Sequence, residues 1–201
     1  MFILGVTGTS GSGKSLFCSF LGDLGAAVID CDGVYHELLA NSPELNCDII
    51  SAFPEAEKNG LADRPALARA VFADGEKLKL LERIVFPHIG AKIEGILAEL
   101  KQDGKRLAVL DAPTLFESGA DSLCGHIVAV IANRETLIAR LADRDGLDRD
   151  NTVQRIDSRP EKGFYIAHDC EIIENNGDID FIKAEALRIF NEALPEGKRN
   201  G

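Results

Sequence analysis

Residues 8–15, with the sequence GTSGSGKS, match the phosphate-binding pattern G-x-x-x-x-G-K-[ST] at every fixed position. The glycines let the backbone curl until its N–H groups point inward at phosphate oxygens, and the following helix adds the positive end of its dipole. The ammonium of Lys14 would reach the β- and γ-phosphates, while the hydroxyl of Ser15 would ligate Mg²⁺. We therefore predict binding of a nucleoside triphosphate such as ATP, with the following contacts: Gly8, Thr9, Ser10, Gly11, Ser12, Gly13, Lys14, Ser15 and Leu16.

The sequence on either side of this loop has the context that the pattern requires. Residues 2–7 form a short apolar run typical of a buried strand. After the loop, apolar residues recur at helical spacing until Gly25 ends the pattern: Leu16, Phe17, Phe20, Leu21 and Leu24. The alternative is a flexible linker rich in glycine and serine, which the flanking strand and amphipathic helix disfavour.

Chain length and charge limit the classes of fold and partner. The 201 residues can bury one good core with inserted helices, but not two large domains. With 22 basic and 33 acidic residues the formal net charge is −11, which argues against nucleic acid or an anionic membrane surface as a partner. Local positive groups must therefore hold a small anionic ligand. No apolar run approaches the ~20 residues of a membrane span, and the N-terminus enters a strand directly, so we expect a cytoplasmic protein.

The five cysteines are odd in number, widely spaced and form no C-x-x-C pair: Cys18, Cys31, Cys47, Cys124 and Cys170. This pattern indicates neither a disulfide framework nor a zinc site. We expect the cysteines to be small buried hydrophobic residues.

Four later segments are also typical of buried strands, namely residues 26–30, 107–111, 126–132 and 171–174. With the first strand they make five, and they alternate with helical patterns. Because parallel strands need crossover helices, the predicted fold is α/β, a doubly wound five-stranded parallel sheet with its site at the carboxyl ends of the strands.

The sequence between the second and third predicted strands is too long for a single crossover. Residues 33–104 contain several helical stretches, notably 65–72, 76–84 and 89–100. We interpret this part of the chain as a helical insert beside the active site.

Six of the twelve arginines fall between positions 134 and 159: Arg134, Arg140, Arg144, Arg149, Arg155 and Arg159. Arg140 with Arg144, and Arg155 with Arg159, are spaced i, i+4, so each pair shares a helical face. This arrangement fits a lid that closes over phosphates and adds positive charge to the transition state. The alternative is a solvated face on which the arginines pair with neighbouring aspartates, among them Asp143 and Asp157.

Carboxylates close two of the predicted strands. Asp30-Cys31-Asp32 ends the second strand, where successive residues alternate, so that Asp30 and Asp32 would share a face. Asp32 is the candidate to orient the attacking hydroxyl or accept its proton, although either aspartate could instead cap the following helix. Asp111 ends the third strand, a usual place for a carboxylate near Mg²⁺ or its waters, with a capping or turn role as the alternative.

Taken together, these segments resemble the dephospho-coenzyme A kinase family. Residues 5–15 are similar to that family's opening G-L-T-G-G-I-G-S-G-K-S-T, and residues 28–32 to its V-I-D-A-D. Further similar segments are D-R-x-x-L at 63–67, V-F at 71–72, D-x-P-L-L-F-E at 111–117 and the closing N-x-G loop at 175–177. The resemblance runs in the family's order from residue 3 to about 180.

The resemblance implies a P-loop kinase that transfers the γ-phosphate of ATP to the ribose 3′-hydroxyl of dephospho-coenzyme A, a small-molecule substrate, in the last step of coenzyme A synthesis. By position, Lys14 and Ser15 would hold ATP and Mg²⁺. Asp32 would orient or deprotonate the 3′-hydroxyl, Arg140 would be the lid arginine and Asn175 would lie near the adenine.

The same resemblance implies one kinase domain over residues 1–201. Its core would comprise residues 1–32, 105–133 and 166–194. An acceptor-binding insert would occupy residues 33–104, and a lid would occupy residues 134–165.

The chain departs from the family pattern at four places: Leu16 for the usual Thr, Phe86-Pro87 for His-Pro, Cys170 for Asp and Arg159 for Gln. None removes a predicted catalytic group, although Phe86 bears on acceptor binding. Two alternatives stay open: a P-loop kinase with a nucleoside or nucleotide acceptor, and a nucleotide-binding switch without kinase activity. Against the switch, the sequence contains no guanine-reading N-K-x-D motif, and an arginine-rich lid suits catalysis.

Overall fold

The structure, a computed structural model, describes residues 1–72, 74–145, 153, 156–157, 160–177 and 179–194. Contacts between Cα atoms divide the chain into two compact units. The first comprises Met1–Ile29 with Leu100–Gly201, and the second comprises Asp30–Glu99.

A five-stranded sheet forms the centre of the first unit. Its strands are β1 (Phe2–Gly8), β2 (Ala27–Asp30), β5 (Leu107–Asp111), β6 (His126–Ile131) and β7 (Glu171–Glu174), in the order β2-β5-β1-β6-β7. Strand β1 pairs with β5 and with β6, and β6 pairs with β7, each in the parallel direction. The predicted α/β fold with a five-stranded parallel sheet is confirmed, and no predicted strand boundary is wrong by more than one residue.

The central strands are almost continuously apolar because both faces of the sheet are covered. All five residues of β5 and the last five of β1 are buried. A parallel sheet packed on both faces requires this kind of sequence, and it distinguishes these strands from half-exposed, alternating ones.

Helices α1 (Lys14–Asp23) and α8 (Ile179–Ala193) pack on one face of the sheet. The core there contains Leu4, Val109 and Val130 from the strands, with Phe17 and Ile182 from the helices. The predicted apolar stripe of α1 is only partly correct. Leu16 and Leu24 are 38% and 37% exposed, because they lie at the edges of the helical face whose centre is Phe17, Cys18 and Leu21.

Two further helices in this unit lie at the start of the arginine-rich segment and directly after it. Helix α6 spans Arg134–Asp145 and α7 spans Lys162–Ala167. On the second face of the sheet, Tyr165 of α7 is buried with Ala129 and Cys170, and Phe116 and Phe164 pack against them.

The second unit is mainly helical, as the sequence predicts. Its helices are α2 (Cys31–Asn41), α3 (Pro43–Ala52), α4 (Arg64–Phe72) and α5 (Gly75–Gln102), whose last residues belong to the first unit. An antiparallel pair, β3 (Glu57–Lys58) and β4 (Leu61–Ala62), was not predicted. Buried Asn46 anchors this pair, since its side-chain oxygen accepts from the Ala62 N–H at 2.7 Å and its amide group donates to the carbonyls of Leu39 and Ser42.

Helix α5 corrects another expectation, because the predicted stretches 76–84 and 89–100 form one continuous helix with Pro87 inside it. Proline in a helix removes one backbone hydrogen bond and usually favours a break. Here Val85, Ile93 and Leu97 are buried at helical spacing on both sides of Pro87, so the packed face continues through it. Across the described residues, α5 included, no helix combines the length and apolar character needed to cross a membrane.

The cysteines differ from one another in environment, which corrects the expectation that all five are buried. Cys18, Cys31 and Cys170 are buried, Cys124 is half-buried and Cys47 is exposed. Burial raises the pKa of the Cys124 thiol to about 12 and that of Cys170 to about 11, with nearby aspartates adding to both shifts.

Candidate active site

The phosphate-binding loop connects β1 to α1, as its sequence pattern requires. Gly8, Gly11 and Gly13 have φ angles of +136°, +83° and +94°, in the region that side chains disfavour. A Cβ on Gly8 would overlap the carbonyl oxygen of Val130 in the neighbouring strand. Glycine is therefore needed at position 8 both for its conformation and for the close approach of β6.

Helix α1 begins directly at the end of the loop. Gly13 occupies the N-cap position in a left-handed conformation, and within the described chain no side chain caps this helix end. The positive end of the ten-residue helix therefore faces the loop. Ser15 is exposed in the first turn, where its hydroxyl is accessible to a ligand.

Lys14 and Asp111 are brought together at the carboxyl edge of the sheet. The Lys14 ammonium contacts a carboxylate oxygen of Asp111, and the two side chains are only 13% and 11% exposed. The contact follows from topology, because β5 lies beside β1 with Val6 paired to Asp111, and the loop leaves β1 two residues later. The aspartate predicted near the metal and the lysine predicted at the phosphates are thus neighbours.

Arg140 of α6 reaches the loop. Its Nη1 donates to the carbonyl oxygens of Gly11 and Ser12, both at 3.3 Å, and to that of Asn175 at 3.1 Å. The structure therefore places the predicted lid arginine on the loop's backbone, with its positive charge beside the segment predicted to hold phosphates.

Asn175, the first residue after β7, contacts the same loop. It is 3% exposed, and its Nδ2 donates to the carbonyl oxygen of Ser12 at 2.7 Å. Its backbone N–H donates to the carbonyl of Ile131 at 2.8 Å. Sequence reasoning did not anticipate this side-chain contact; its only signal was an asparagine directly after a strand that ends beside the loop. The adenine contact remains a prediction.

The residues of this edge fit a bound triphosphate and divalent cation. Among the buried side-chain nitrogen and oxygen atoms of the described residues, the hydroxyls of Thr9 and Ser12 are the ones without a hydrogen-bond partner, and both belong to the loop. The described residues also contain no cluster of three or more His, Cys, Asp or Glu side chains able to hold a metal. One hydroxyl and one carboxylate, Ser15 and Asp111, suit Mg²⁺, which proteins commonly bind with few side chains plus substrate phosphates.

Asp30 and Asp32 belong to the second unit, and the expectation that both lie on one strand face is wrong. β2 ends at Asp30, and α2 begins at Cys31. The side chain of Asp30 caps this helix by accepting from the Gly33 N–H at 3.0 Å, because its extended backbone suits an N-cap. Asp32 lies in the first turn and is exposed.

The arginine-rich segment divides into a described and an undescribed part. Arg134 forms a bidentate pair with Asp157 at 2.5 and 3.1 Å, which raises the pKa of the guanidinium and holds the pKa of the carboxyl below its usual range. For Arg134 the alternative of an aspartate-paired, solvated face is therefore correct. The side chain of Arg144, and Arg149, Arg155 and Arg159 altogether, lie outside the described residues.

Comparison with known proteins adds to this geometry. Residues 2–180 match the family model described as dephospho-CoA kinase. The chain belongs to this family. A dephospho-CoA kinase of Geobacter sulfurreducens is 34% identical over 97% of this chain and 100% of its own length, and that of Moorella thermoacetica is 33% identical over 96% and 92%. As a member of the dephospho-CoA kinase family, the chain is an ATP-dependent kinase.

Solved structures support the same fold. A crystal structure of the Thermus thermophilus protein TT1252 has a TM-score of 0.81 and 31% identity, over 95% of this chain and 97% of that one. A dephospho-CoA kinase from Campylobacter jejuni has a TM-score of 0.60 at 24% identity, covering 95% and 96%, and shows the fold alone.

Proposed function

We propose that the chain transfers the γ-phosphate of ATP to the ribose 3′-hydroxyl of dephospho-coenzyme A, giving coenzyme A and ADP in the final step of coenzyme A biosynthesis. The observation that carries the proposal is a P-loop whose backbone, lysine and neighbouring aspartate meet at one edge of the sheet, in a member of this family. No feature of the described residues favours a different acceptor or a non-catalytic switch.

The loop and the start of α1 supply the donors for the phosphates. We assign the β- and γ-phosphate contact to Lys14 and the two positions nearest the metal to Ser15 and Asp111. When bound, Mg²⁺ would neutralise charge that develops on the phosphate oxygens. The chain's own contribution is to hold donors in place before the reaction, so that little reorganisation is needed when charge develops.

Asp32 is assigned to the acceptor hydroxyl. The carboxylate of Asp30 already accepts a hydrogen bond as the cap of α2, whereas the neighbouring Asp32 is exposed. A free carboxylate can orient a hydroxyl or accept its proton, so Asp32 is the better candidate of the two.

The second unit and the arginine-rich segment also have roles in this proposal. We assign acceptor binding to the helical second unit, which approximates the predicted insert 33–104. We assign the lid to residues 134–165, because its first helix already carries Arg140 to the loop. In this assignment the guanidinium of Arg140 adds positive charge at the phosphates when the lid closes.

A coupled assay of ADP release tests the proposal. We expect release to depend on dephospho-coenzyme A and to stay near background with AMP, other nucleoside monophosphates or no acceptor. Mass spectrometry should show one added phosphoryl group on the acceptor, and Lys14→Ala protein prepared in parallel should be inactive. Faster turnover with a nucleoside monophosphate than with dephospho-coenzyme A would show that the proposed acceptor is wrong. Tight ATP binding without any phosphoryl transfer would favour a nucleotide-binding switch.

A further inference from the structure

The side chain of Asn175 is directed at the loop, and its contact determines the orientation of one peptide group. Nδ2 donates to the Ser12 carbonyl oxygen at 2.7 Å, and the same oxygen accepts from Arg140 Nη1 at 3.3 Å. The carbonyl of Ser12 and the N–H of Gly13 belong to one trans peptide plane, in which they point in opposite directions. A donor held against the carbonyl therefore directs the Gly13 N–H to the other side of the loop.

Steric contact reinforces this orientation. A Cβ on Gly13 would overlap Nδ2 of Asn175, so the amide lies directly against the glycine. Gly13 has a φ of +94° and, as a glycine, could adopt other backbone conformations at little cost. A residue with that freedom needs an external contact to hold one peptide orientation, and the amide of Asn175 supplies it.

The backbone polar groups of Asn175 are also engaged by protein. Its N–H donates to the carbonyl of Ile131, and its carbonyl oxygen accepts from Arg140. Asn175 is thereby tied to β6, α6 and the loop, at 3% exposure. These contacts suit a residue that acts on a ligand through its neighbours rather than by touching it.

We propose that Asn175 is a positioning residue: its side-chain amide holds the Ser12–Gly13 peptide so that the Gly13 N–H faces the phosphates of the nucleotide. The inference rests on the proposed function only in assuming that the loop binds a polyphosphate. Loss of the amide donor lets the peptide rotate. A rotated peptide presents the Ser12 carbonyl oxygen to the phosphates, and the negative charge of the phosphates repels this oxygen. The side chain of Asn175 should therefore affect the binding of the polyphosphate and not the binding of the base.

Replacement by aspartate tests this with almost no change in shape. In Asn175→Asp the NH₂ donor becomes an acceptor, which repels the Ser12 carbonyl and attracts the Gly13 N–H. The matched control is Asn176→Ala, since Asn176 is exposed and its side-chain oxygen accepts from the Asn133 N–H at 2.8 Å, away from Ser12. Binding of MgATP, inorganic tripolyphosphate and adenosine is measured by calorimetry on the full chain.

We expect Asn175→Asp to weaken the binding of MgATP and of tripolyphosphate about tenfold to a hundredfold, the range for a buried carbonyl that loses its shorter hydrogen bond. Adenosine should bind within about twofold of wild type, and Asn176→Ala should resemble wild type for all three probes. Tripolyphosphate affinity unchanged in Asn175→Asp would overturn the inference, as would selective loss of adenosine binding, which would instead make Asn175 a base contact.

Two further controls keep the outcome interpretable. If Asn175→Asp melts below the assay temperature, Asn175→Ala takes its place, because it removes the donor without adding charge. For this variant, the NMR resonance of the Gly13 amide in the presence of MgADP reports the orientation of the peptide directly. We expect that resonance to shift between wild type and Asn175→Ala; an identical resonance would overturn the inference. Wild-type protein that binds neither MgATP nor tripolyphosphate would overturn the proposed function itself, a result distinct from normal binding by the variants.

Discussion

Lys14 and Asp111 are 97 positions apart in sequence, and their side chains contact each other at the carboxyl edge of the sheet. Both are largely buried, and in this contact the charge of each compensates the charge of the other. The contact links the phosphate-binding loop to the strand end predicted to lie near the metal. Removal of the Lys14 ammonium should therefore change both the stability and the activity of the protein.

Lys14→Ala should reduce turnover by at least about 10²- to 10³-fold, because a preorganised cation is lost from the phosphate site. It should also lower the free energy of unfolding by up to about 3 kcal/mol, since Asp111 loses this cation, while the protein still folds. The double variant Lys14→Ala/Asp111→Asn should recover part of that stability but no activity. Turnover of Lys14→Ala within tenfold of wild type would contradict the assignment; steady-state kinetics and urea unfolding give the two quantities.

The sheet and the loop could be predicted because their signals are local. Each strand is an apolar run bounded by helical patterns, and the glycine and lysine spacing of the loop has few structural solutions. The hairpin β3–β4 has two residues per strand, too few for a detectable alternation. The continuity of α5 through Pro87 depends on packing on both sides of the proline, which outweighs its local preference.

The parts of the site that sequence reasoning missed are set by long-range contacts. Asn175 and Ser12 lie 163 positions apart, and no local pattern indicates that one donates to the other. Asp30 and Asp32 show a second limit, since strand alternation and helix capping were both compatible with the sequence around them. The helix that begins at Cys31 decides between them, because it places the Gly33 N–H within hydrogen-bond distance of the Asp30 carboxylate.

Asp32→Asn should cut turnover about 10²- to 10⁴-fold with ATP affinity nearly unchanged, because the isostere removes the proton acceptor but no bulk. Asp30→Asn is the matched control, since asparagine is an equally good N-cap. Asp30→Ala should instead cost about 1 kcal/mol of stability through loss of the cap to Gly33. A large loss in Asp30→Asn with a mild effect in Asp32→Asn would show that the two roles are reversed.

Arg140→Ala should lower turnover about 10²- to 10³-fold, because its guanidinium lies on the backbone of the phosphate-binding loop. Arg134→Ala is the matched control from the same helix: its partner is Asp157, at an exposed site, so we expect less than a threefold change. Limited proteolysis at arginines 134–159 should slow with an ATP analogue and Mg²⁺ if this segment closes. Equal proteolysis with and without nucleotide, together with unchanged turnover in Arg140→Ala, would show that these arginines form surface ion pairs and have no role in catalysis.

The cysteines should react with iodoacetamide in the order of their exposure and thiolate content. At pH 7.5 the raised pKa values of Cys124 and Cys170, about 12 and 11, leave roughly one thiolate in a thousand or fewer at each site. Cys47 is exposed and should be labelled first, as peptide mass spectrometry can follow. Cys47→Ser should abolish the fast phase. Equally rapid labelling of Cys124 would mean that its burial is transient.

Glu171 should make part of the protein's stability dependent on pH. Burial favours the neutral form of this carboxyl, but hydrogen bonds from Arg188 at 2.5 Å and His126 at 2.8 Å outweigh it and hold the pKa of Glu171 below its ordinary value of 4.5. A carboxyl whose folded pKa is lowered stabilises the protein fully above its unfolded pKa, and this contribution is lost as the pH falls through the folded pKa.

Glu171→Gln should therefore reduce the free energy of unfolding at pH 7 by about 0.5–1 kcal/mol, a modest value because the side chains of Arg188 and His126 are about 40% and 39% exposed, so that solvent screens the interaction. The difference from wild type should shrink as the pH is lowered below about 4.5, since the wild-type carboxyl then becomes neutral as well. Urea unfolding between pH 7 and pH 3.5 measures it. Glu192→Gln is the control, because Glu192 also contacts Arg188 but is 57% exposed and should change stability little. A Glu171→Gln effect that is the same at every pH would arise from packing and not from the charge of Glu171.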